Sequence, residues 1–145
     1  MIVRIILTVV IGYLLGNFST GVMLSRRRGG EDIRKKGSGN AGATNMLRVK
    51  GRSLAVLTLL GDMVKGMAGV WVGWLLVGGD LGGLIGGFSA VVGHDFPVFL
   101  GFKGGKGIAT SFGALLIMYP LQSLLLLLTF IVIVALTHYV SVGSV

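Results

Sequence analysis

The chain has 145 residues, 53% of them apolar and only 12% charged, with a net charge of +8 and a mean hydropathy of +0.89. Ordinary soluble domains carry about twice that charged fraction, so the composition excludes one. It points instead to an all-α polytopic membrane protein, read as a single domain over residues 1–145. The absence of cysteine excludes a disulfide framework, a thiolate metal site and an acyl-thioester on the protein itself.

The first apolar span is expected at about residues 2–24. Its start, with one early Arg and an apolar run, could pass for a signal peptide. The run continues to Leu24, however, and no small-residue cleavage site follows, so it reads as a retained anchor. A basic loop, 25–52, comes next and holds nine of the thirteen Lys and Arg residues. The second span is expected at 53–77 and the third at 81–100, each with about the 20 residues that a bilayer core needs. A short basic loop at 101–107 carries Lys103 and Lys106. The apolar stretch from Ile108 to Thr137 is too long for one span and is interrupted by Tyr119-Pro120. Proline suits the first turn of a helix, which predicts a short fourth helix at 106–118 and a fifth at 120–137.

The positive-inside rule places both basic loops on the cytoplasmic side and the N-terminus outside. Two glycine- and lysine-rich loops then meet on one membrane face. Charge concentrated in loops between apolar spans calls for lipid headgroups or phosphate metabolites as partners, not nucleic acid. Pairs of glycines four apart, Gly12/Gly16, Gly69/Gly73, Gly82/Gly86 and Gly83/Gly87, predict close helix packing. The ending, Thr137 to Val145, puts His138 and Tyr139 at an interface. A new apolar segment then begins and stops, as in a C-terminally incomplete chain.

Within the first loop, Gly37-Ser38-Gly39-Asn40-Ala41-Gly42 spells G-x-G-x-x-G. A dinucleotide fingerprint requires a buried strand before the first glycine. Here Asp32-Ile33-Arg34-Lys35-Lys36 precedes it, so that reading fails. What remains is a polar turn offering Ser38, Asn40, Thr44 and Asn45 and opening a short helix. Arg48 falls on the same face as Thr44 and Asn45 and can grip a phosphate bidentately. In the second loop, Gly101 to Gly107 is one residue short of a Walker motif, and Gly107 stands where Ser or Thr would bind magnesium. Its glycine N–H groups at Gly104, Gly105 and Gly107, with Lys103 and Lys106, could still form an anion nest at a helix start. Taken alone, the loop is equally a tight turn with two headgroup lysines.

Two further groups stand out. Asp62 and Lys65, inside the second span, are spaced to pair, and an intramembrane charge is a functional candidate by default. Lys65 could also reach the loops by snorkelling. His94 and Asp95 are adjacent, not spaced as a catalytic pair, and two histidines with five carboxylates are too few for a metal site. His94 therefore reads as a hydrogen-bonding substrate ligand, with a general-base role open to it by residue type.

Four stretches in order, GYLLGNFSTG at 12–21, GSGNAGATNMLR at 37–48, GDMVKG at 61–66 and GHDFPVFLGFKGGKGIAT at 93–110, resemble the bacterial integral-membrane acyl-phosphate:glycerol-3-phosphate acyltransferase family. The resemblance implies transfer of a fatty acyl group from acyl phosphate to the sn-1 hydroxyl of glycerol 3-phosphate. The product is lysophosphatidic acid, in bacterial phospholipid synthesis at the cytoplasmic face of the plasma membrane. It implies no cofactor or metal, and a soluble acyl-phosphate-producing enzyme as upstream partner. It assigns active-site roles to Ser38 and Arg48, and phosphate binding to the 101–107 loop with Lys106 as chief ligand. Gly37, Gly39, Asn40, Thr44, Asn45, Lys65 and Lys103 complete the expected binding set. The family carries a further motif beyond the end of this chain, in keeping with an incomplete C-terminus. A transporter or channel for phosphorylated metabolites is the alternative that the glycine loops and intramembrane charges also suit.

Overall fold

The computed structural model describes residues 1–139; Val140–Val145, the start of the expected last apolar segment, lie outside the described residues. Among the described residues every regular element is helical. Helix α1 spans Ile2–Asn17 and α2 spans Thr20–Arg27. The span expected at 2–24 is present as Ile2–Arg27, and its helix is interrupted at Phe18-Ser19. Phe18 leaves the helical region at φ −71° and ψ 102°, and Ser19 caps α2 by accepting the Val22 N–H. A 3₁₀ turn follows at Ile33–Lys35, then α3 at Ala43–Lys50. Helix α4 runs Arg52–Leu76, α5 Gly79–Asp95, α6 Ile108–Met118 and α7 Pro120–Thr137, with Pro120 in its first turn as expected.

Among the described residues four segments are long and apolar enough to cross a membrane: Ile2–Arg27, Arg52–Leu76, Gly79–Leu100 and Pro120–Thr137. The protein is a multi-pass membrane protein. The expected short fourth helix is present as α6, with 11 residues. At 1.5 Å per residue it is about 16 Å long, roughly half a hydrocarbon core.

Helix α4 is the centre of the packing, in contact with α1, α2, α3, α5 and α6, and α5 packs against α1, α4 and α6. The glycine pairs lie at these crossings. A Cβ on Gly12 of α1 would stand 2.8 Å from the Gly86 carbonyl, and one on Gly69 of α4 would stand 2.6 Å from the same oxygen. Backbones this close exclude any larger side chain, which is the use of small residues in membrane helix contacts. Helix α7 packs on α6 and leaves most of its surface open.

The stretch 25–52 is more than a loop. Val22, Ile33, Ala41, Met46 and Ala55 form a small buried core, flanked by Leu24, Val49, Leu54 and Leu100. It fastens α2, the 3₁₀ turn and α3 onto the start of α4. The first glycine-rich turn is therefore held on a folded platform at one end of the helices.

Candidate active site

Asn45, 1% exposed, organises the first loop from within. Its Oδ1 accepts the Ser38 N–H at 2.9 Å. Its Nδ2 faces the carbonyls of Ile33, Lys36 and Asn40 at 3.1, 3.0 and 2.9 Å. The expectation that Asn45 binds phosphate is corrected: its side chain is occupied by the backbone it shapes. Gly37 passes so close to that amide, at φ +59°, that a Cβ there would collide with Oδ1. Gly39 is likewise structural, with φ +74° and its N–H donated to Lys36. Ser38, Thr44 and Arg48 remain exposed with their side chains free of protein hydrogen bonds among the described residues.

The second loop is held by its surroundings. The Gly104 and Gly105 N–H groups donate to the carbonyls of Asp95 and His94, both at 3.1 Å. The expected anion nest at these two glycines is corrected for that reason: their N–H groups close the C-terminal end of α5. Glycine is needed because a Cβ on Gly105 would run into the His94 imidazole, and one on Gly104 into the His94 carbonyl. Gly107, at φ +68°, precedes α6 as its uncapped N-cap. The first N–H groups of α6 have no partner within the helix.

One side chain joins the two loops. Arg34 Nη1 donates to the carbonyls of Leu100 and Lys103 at 2.7 and 2.9 Å. Its Nε and Nη2 donate to Asp32 Oδ1 and Oδ2 at 3.0 and 2.7 Å. Asp32 also accepts from Arg26 Nη2 at 2.9 Å and from the Arg34 N–H at 3.0 Å. The Arg34 hydrogen bonds hold the Asp32 carboxyl well below the usual carboxylate range, against the opposing effect of burial. Asp32 in turn raises the Arg34 guanidinium further.

Beneath the loops lies a buried polar cluster. Lys65 Nζ donates to the Gly16 and Phe18 carbonyls, at 3.1 and 2.9 Å, where α1 breaks. It pairs with Asp62 Oδ1 at 3.1 Å and stands 2.6 Å from His94 Nδ1. The expected Asp62–Lys65 pair is present. Lys65 does not snorkel to the loops, and its expected place as a phosphate ligand is corrected: its ammonium points inward, at the broken end of α1.

A cavity of about 800 Å³ gathers the exposed groups. Ser38, Asn40, Thr44, Asn45, Arg48, His94, Lys106 and Gly107 all line it. Gly37, Gly39, Lys65, Lys103, Gly104 and Gly105 do not. Lys103 contributes its carbonyl to Arg34 and leaves its exposed side chain outside. Sequence reading missed Arg52, which lines the cavity from the first turn of α4. It also missed Arg34. The only signal for Arg52 was its place at the junction of a basic loop and an apolar span. No local signal marked Arg34, whose partners lie 66 and 69 residues away.

The cavity has two characters. Arg48, Arg52 and Lys106 supply positive charge, and the uncapped starts of α3 and α6 both reach its wall through Gly42 and Gly107. That combination suits phosphate oxygens. Leu47, Val56, Leu59, Ile108 and Phe130 make an apolar wall suited to a hydrocarbon chain. Among the described residues no group of three His, Asp or Glu side chains converges to hold a metal.

Fold and cavity thus define a multi-pass helical membrane protein with a cationic pocket set against an apolar wall. The chain belongs to the glycerol-3-phosphate acyltransferase family, whose model matches residues 6–145. It is 48% identical over 145 residues to the glycerol-3-phosphate acyltransferase of Clostridioides difficile strain 630, covering 97% of this chain and 71% of that protein. It is also similar to crystal structures of PlsY (YgiH), an integral membrane glycerol 3-phosphate acyltransferase. The glycerol 3-phosphate form superposes with a TM-score of 0.88 at 35% identity, covering 97% of this chain and 70% of that one. The lysophosphatidic acid form gives 0.86 at 34% identity, covering 97% and 69%.

Proposed function

We propose that this chain transfers a fatty acyl group from an acyl phosphate to the sn-1 hydroxyl of glycerol 3-phosphate, releasing lysophosphatidic acid and phosphate. The observation that carries this reading is the meeting of Ser38, Arg48, His94 and Lys106 on one cavity that also has an apolar wall. An acyl phosphate is already activated, because phosphate is a good leaving group. The protein then has to hold two anionic substrates side by side and offset their repulsion. Arg48, Arg52, Lys106 and the two helix starts do so as fixed positive groups, which orient the reactants and favour the charge that develops on the departing phosphate. Ser38 and Thr44 act as hydroxyl ligands. The acyl chain lies along Leu59, Ile108 and Phe130. Membership of the family and the glycerol 3-phosphate and lysophosphatidic acid forms of PlsY support the substrates. The positive charge of both loops supports a cavity that opens on the cytoplasmic side of a bacterial plasma membrane, where a soluble enzyme would deliver the acyl phosphate.

The test is direct. Membranes carrying the chain receive acyl phosphate and labelled glycerol 3-phosphate, and lysophosphatidic acid is followed. Arg48→Ala should lower transfer about 10²- to 10³-fold with membrane insertion unchanged. Near-native turnover in that variant would remove Arg48 from the site. Uptake of glycerol 3-phosphate into sealed vesicles without product would mark a transporter instead.

A further inference from the structure

The buried cluster under the cavity decides what His94 can do. Lys65 Nζ is surrounded by four acceptors: the carbonyls of Gly16 and Phe18, Asp62 Oδ1 and His94 Nδ1. Paired with the Asp62 carboxylate at 3.1 Å, Lys65 is the ammonium, which can only donate. Asp62 Oδ1 has no hydrogen-bond partner among the described residues, so its contact with Lys65 is an ion pair only. Of the three ammonium protons, two go to the carbonyls and the third points along the 2.6 Å contact to His94 Nδ1. Nδ1 is then an acceptor, and the single ring proton of neutral His94 sits on Nε2. Asp62 does not compete for Nδ1, since its Oδ1 is 3.8 Å away, beyond hydrogen-bonding range. A histidine that serves as general base is held the other way round, with Nδ1–H donated to a carboxylate or carbonyl and Nε2 bare. Here the ammonium takes the position a carboxylate would need. Nε2 lies against Gly105, the one residue type that leaves room for the ring, and His94 forms part of the cavity wall.

We infer that His94 meets substrate as an Nε2–H hydrogen-bond donor, not as a base, and that Lys65 is the positioning residue that fixes this tautomer while tying it to the break between α1 and α2. The inference rests on the proposed transfer reaction for the identity of the acceptor, an oxygen of the phosphate or acyl group. The tautomer itself does not depend on that reaction.

Two readouts separate these parts. The chain has two histidines, so His138→Gln leaves His94 as the only imidazole, and ¹⁵N-histidine labelling in lipid nanodiscs shows by long-range ¹H–¹⁵N correlations which nitrogen is protonated. The Nε2–H form is expected at neutral pH, retained in Lys65→Arg and lost in Lys65→Met. A Nδ1–H ring or an imidazolium in the otherwise unaltered protein would overturn the inference. The second readout is transfer activity. Glutamine carries its amide nitrogen where Nε2 sits, whereas asparagine carries it where Nδ1 sits. His94→Gln should stay within about tenfold of the parent, and His94→Asn should fall a further 10- to 100-fold or so, the loss of one hydrogen bond to a charged group. Equal activity of the two variants, or an inactive His94→Gln that inserts normally, would overturn the donor role. An Nε2–H tautomer in a protein that makes no lysophosphatidic acid would leave the tautomer standing and sink the proposed function instead.

Discussion

The two glycine-rich loops look alike as sequence and are held in opposite ways. The loop at 37–45 is organised by its own Asn45, whose partners all lie within twelve residues. The loop at 101–107 has no such internal organiser. Its Gly104 and Gly105 N–H groups go to the end of α5, and the Lys103 carbonyl, with that of Leu100 just before the loop, accepts from Arg34. The first loop is self-supporting, whereas the second takes its shape from the end of α5 and, through one guanidinium, from the turn that leads into the first. Damage to the first should therefore spread to the second, and damage to the second should stay local.

The largest effect is expected from Asn45→Ala. It removes the Oδ1 acceptor and both Nδ2 protons, three hydrogen bonds' worth, and leaves buried backbone groups unmade, costing about 1.5–4.5 kcal/mol at roughly 0.5–1.5 per bond. Urea or thermal unfolding in detergent would measure it, with transfer falling in parallel. A stable Asn45→Ala protein would break the idea of a self-supporting loop. Next comes Arg34→Met, which cuts the link and leaves Asp32 with Arg26 alone. Two hydrogen bonds to carbonyls are lost, about 1–3 kcal/mol in all, because both are partly open to solvent and fall at roughly 0.5–1.5 each. Limited proteolysis should then cut near 101–107 before 37–45. The reverse order would show that the second loop stands without the first.

The same contrast explains what the sequence disclosed. Apolar spans, the Pro120 helix start and the α3 helix after the G-x-G-x-x-G turn depend on neighbours in the chain, and each was legible. Arg48 and Ser38 were legible as exposed polar groups on a glycine turn, and both reach the cavity. Asn45 reads as a ligand in the sequence because residue type alone cannot tell a side chain that binds substrate from one that binds its own loop. The break at Phe18-Ser19 is invisible there because Lys65, the residue that satisfies the freed carbonyls of Gly16 and Phe18, lies on another helix. Glycines 104 and 105 read as phosphate ligands because nothing near them in the chain shows that α5 ends against them.

A smaller, local effect is expected in the second loop. Gly105→Ala puts a methyl group into the His94 ring. The imidazole must rotate or the loop must retreat, and transfer should drop about tenfold, the scale of one misplaced hydrogen bond. Unfolding should be nearly unchanged, because no buried bond of the first loop is touched. Equal losses of stability in Gly105→Ala and Asn45→Ala would erase the distinction between the loops.

The smallest effect is a pH dependence confined to the link. Asp32 is held below its ordinary value by its hydrogen bonds from Arg34, so the folded state binds this proton less readily than the unfolded chain does. Stability from the pair is then fully present above the unfolded value of about 3.9 and is lost as the pH falls from there through the lower value of the folded state. The contribution should be on the order of 1 kcal/mol, because solvent reaches the guanidinium side of the pair and screens it. Asp32→Asn removes the titration while keeping the shape. The gap in Tm between the parent and Asp32→Asn should therefore be widest above pH 5 or so and should narrow steadily below about pH 4. In that acid range the second loop should loosen first, seen as earlier proteolysis at 101–107, because Arg34 then lacks the carboxylate that aims it at Leu100 and Lys103. A gap that stayed constant across the whole range would mean that Asp32 does not hold Arg34 in place, and that the two loops are joined through the small apolar core of Ile33 and Met46 with its flanking Leu100 alone.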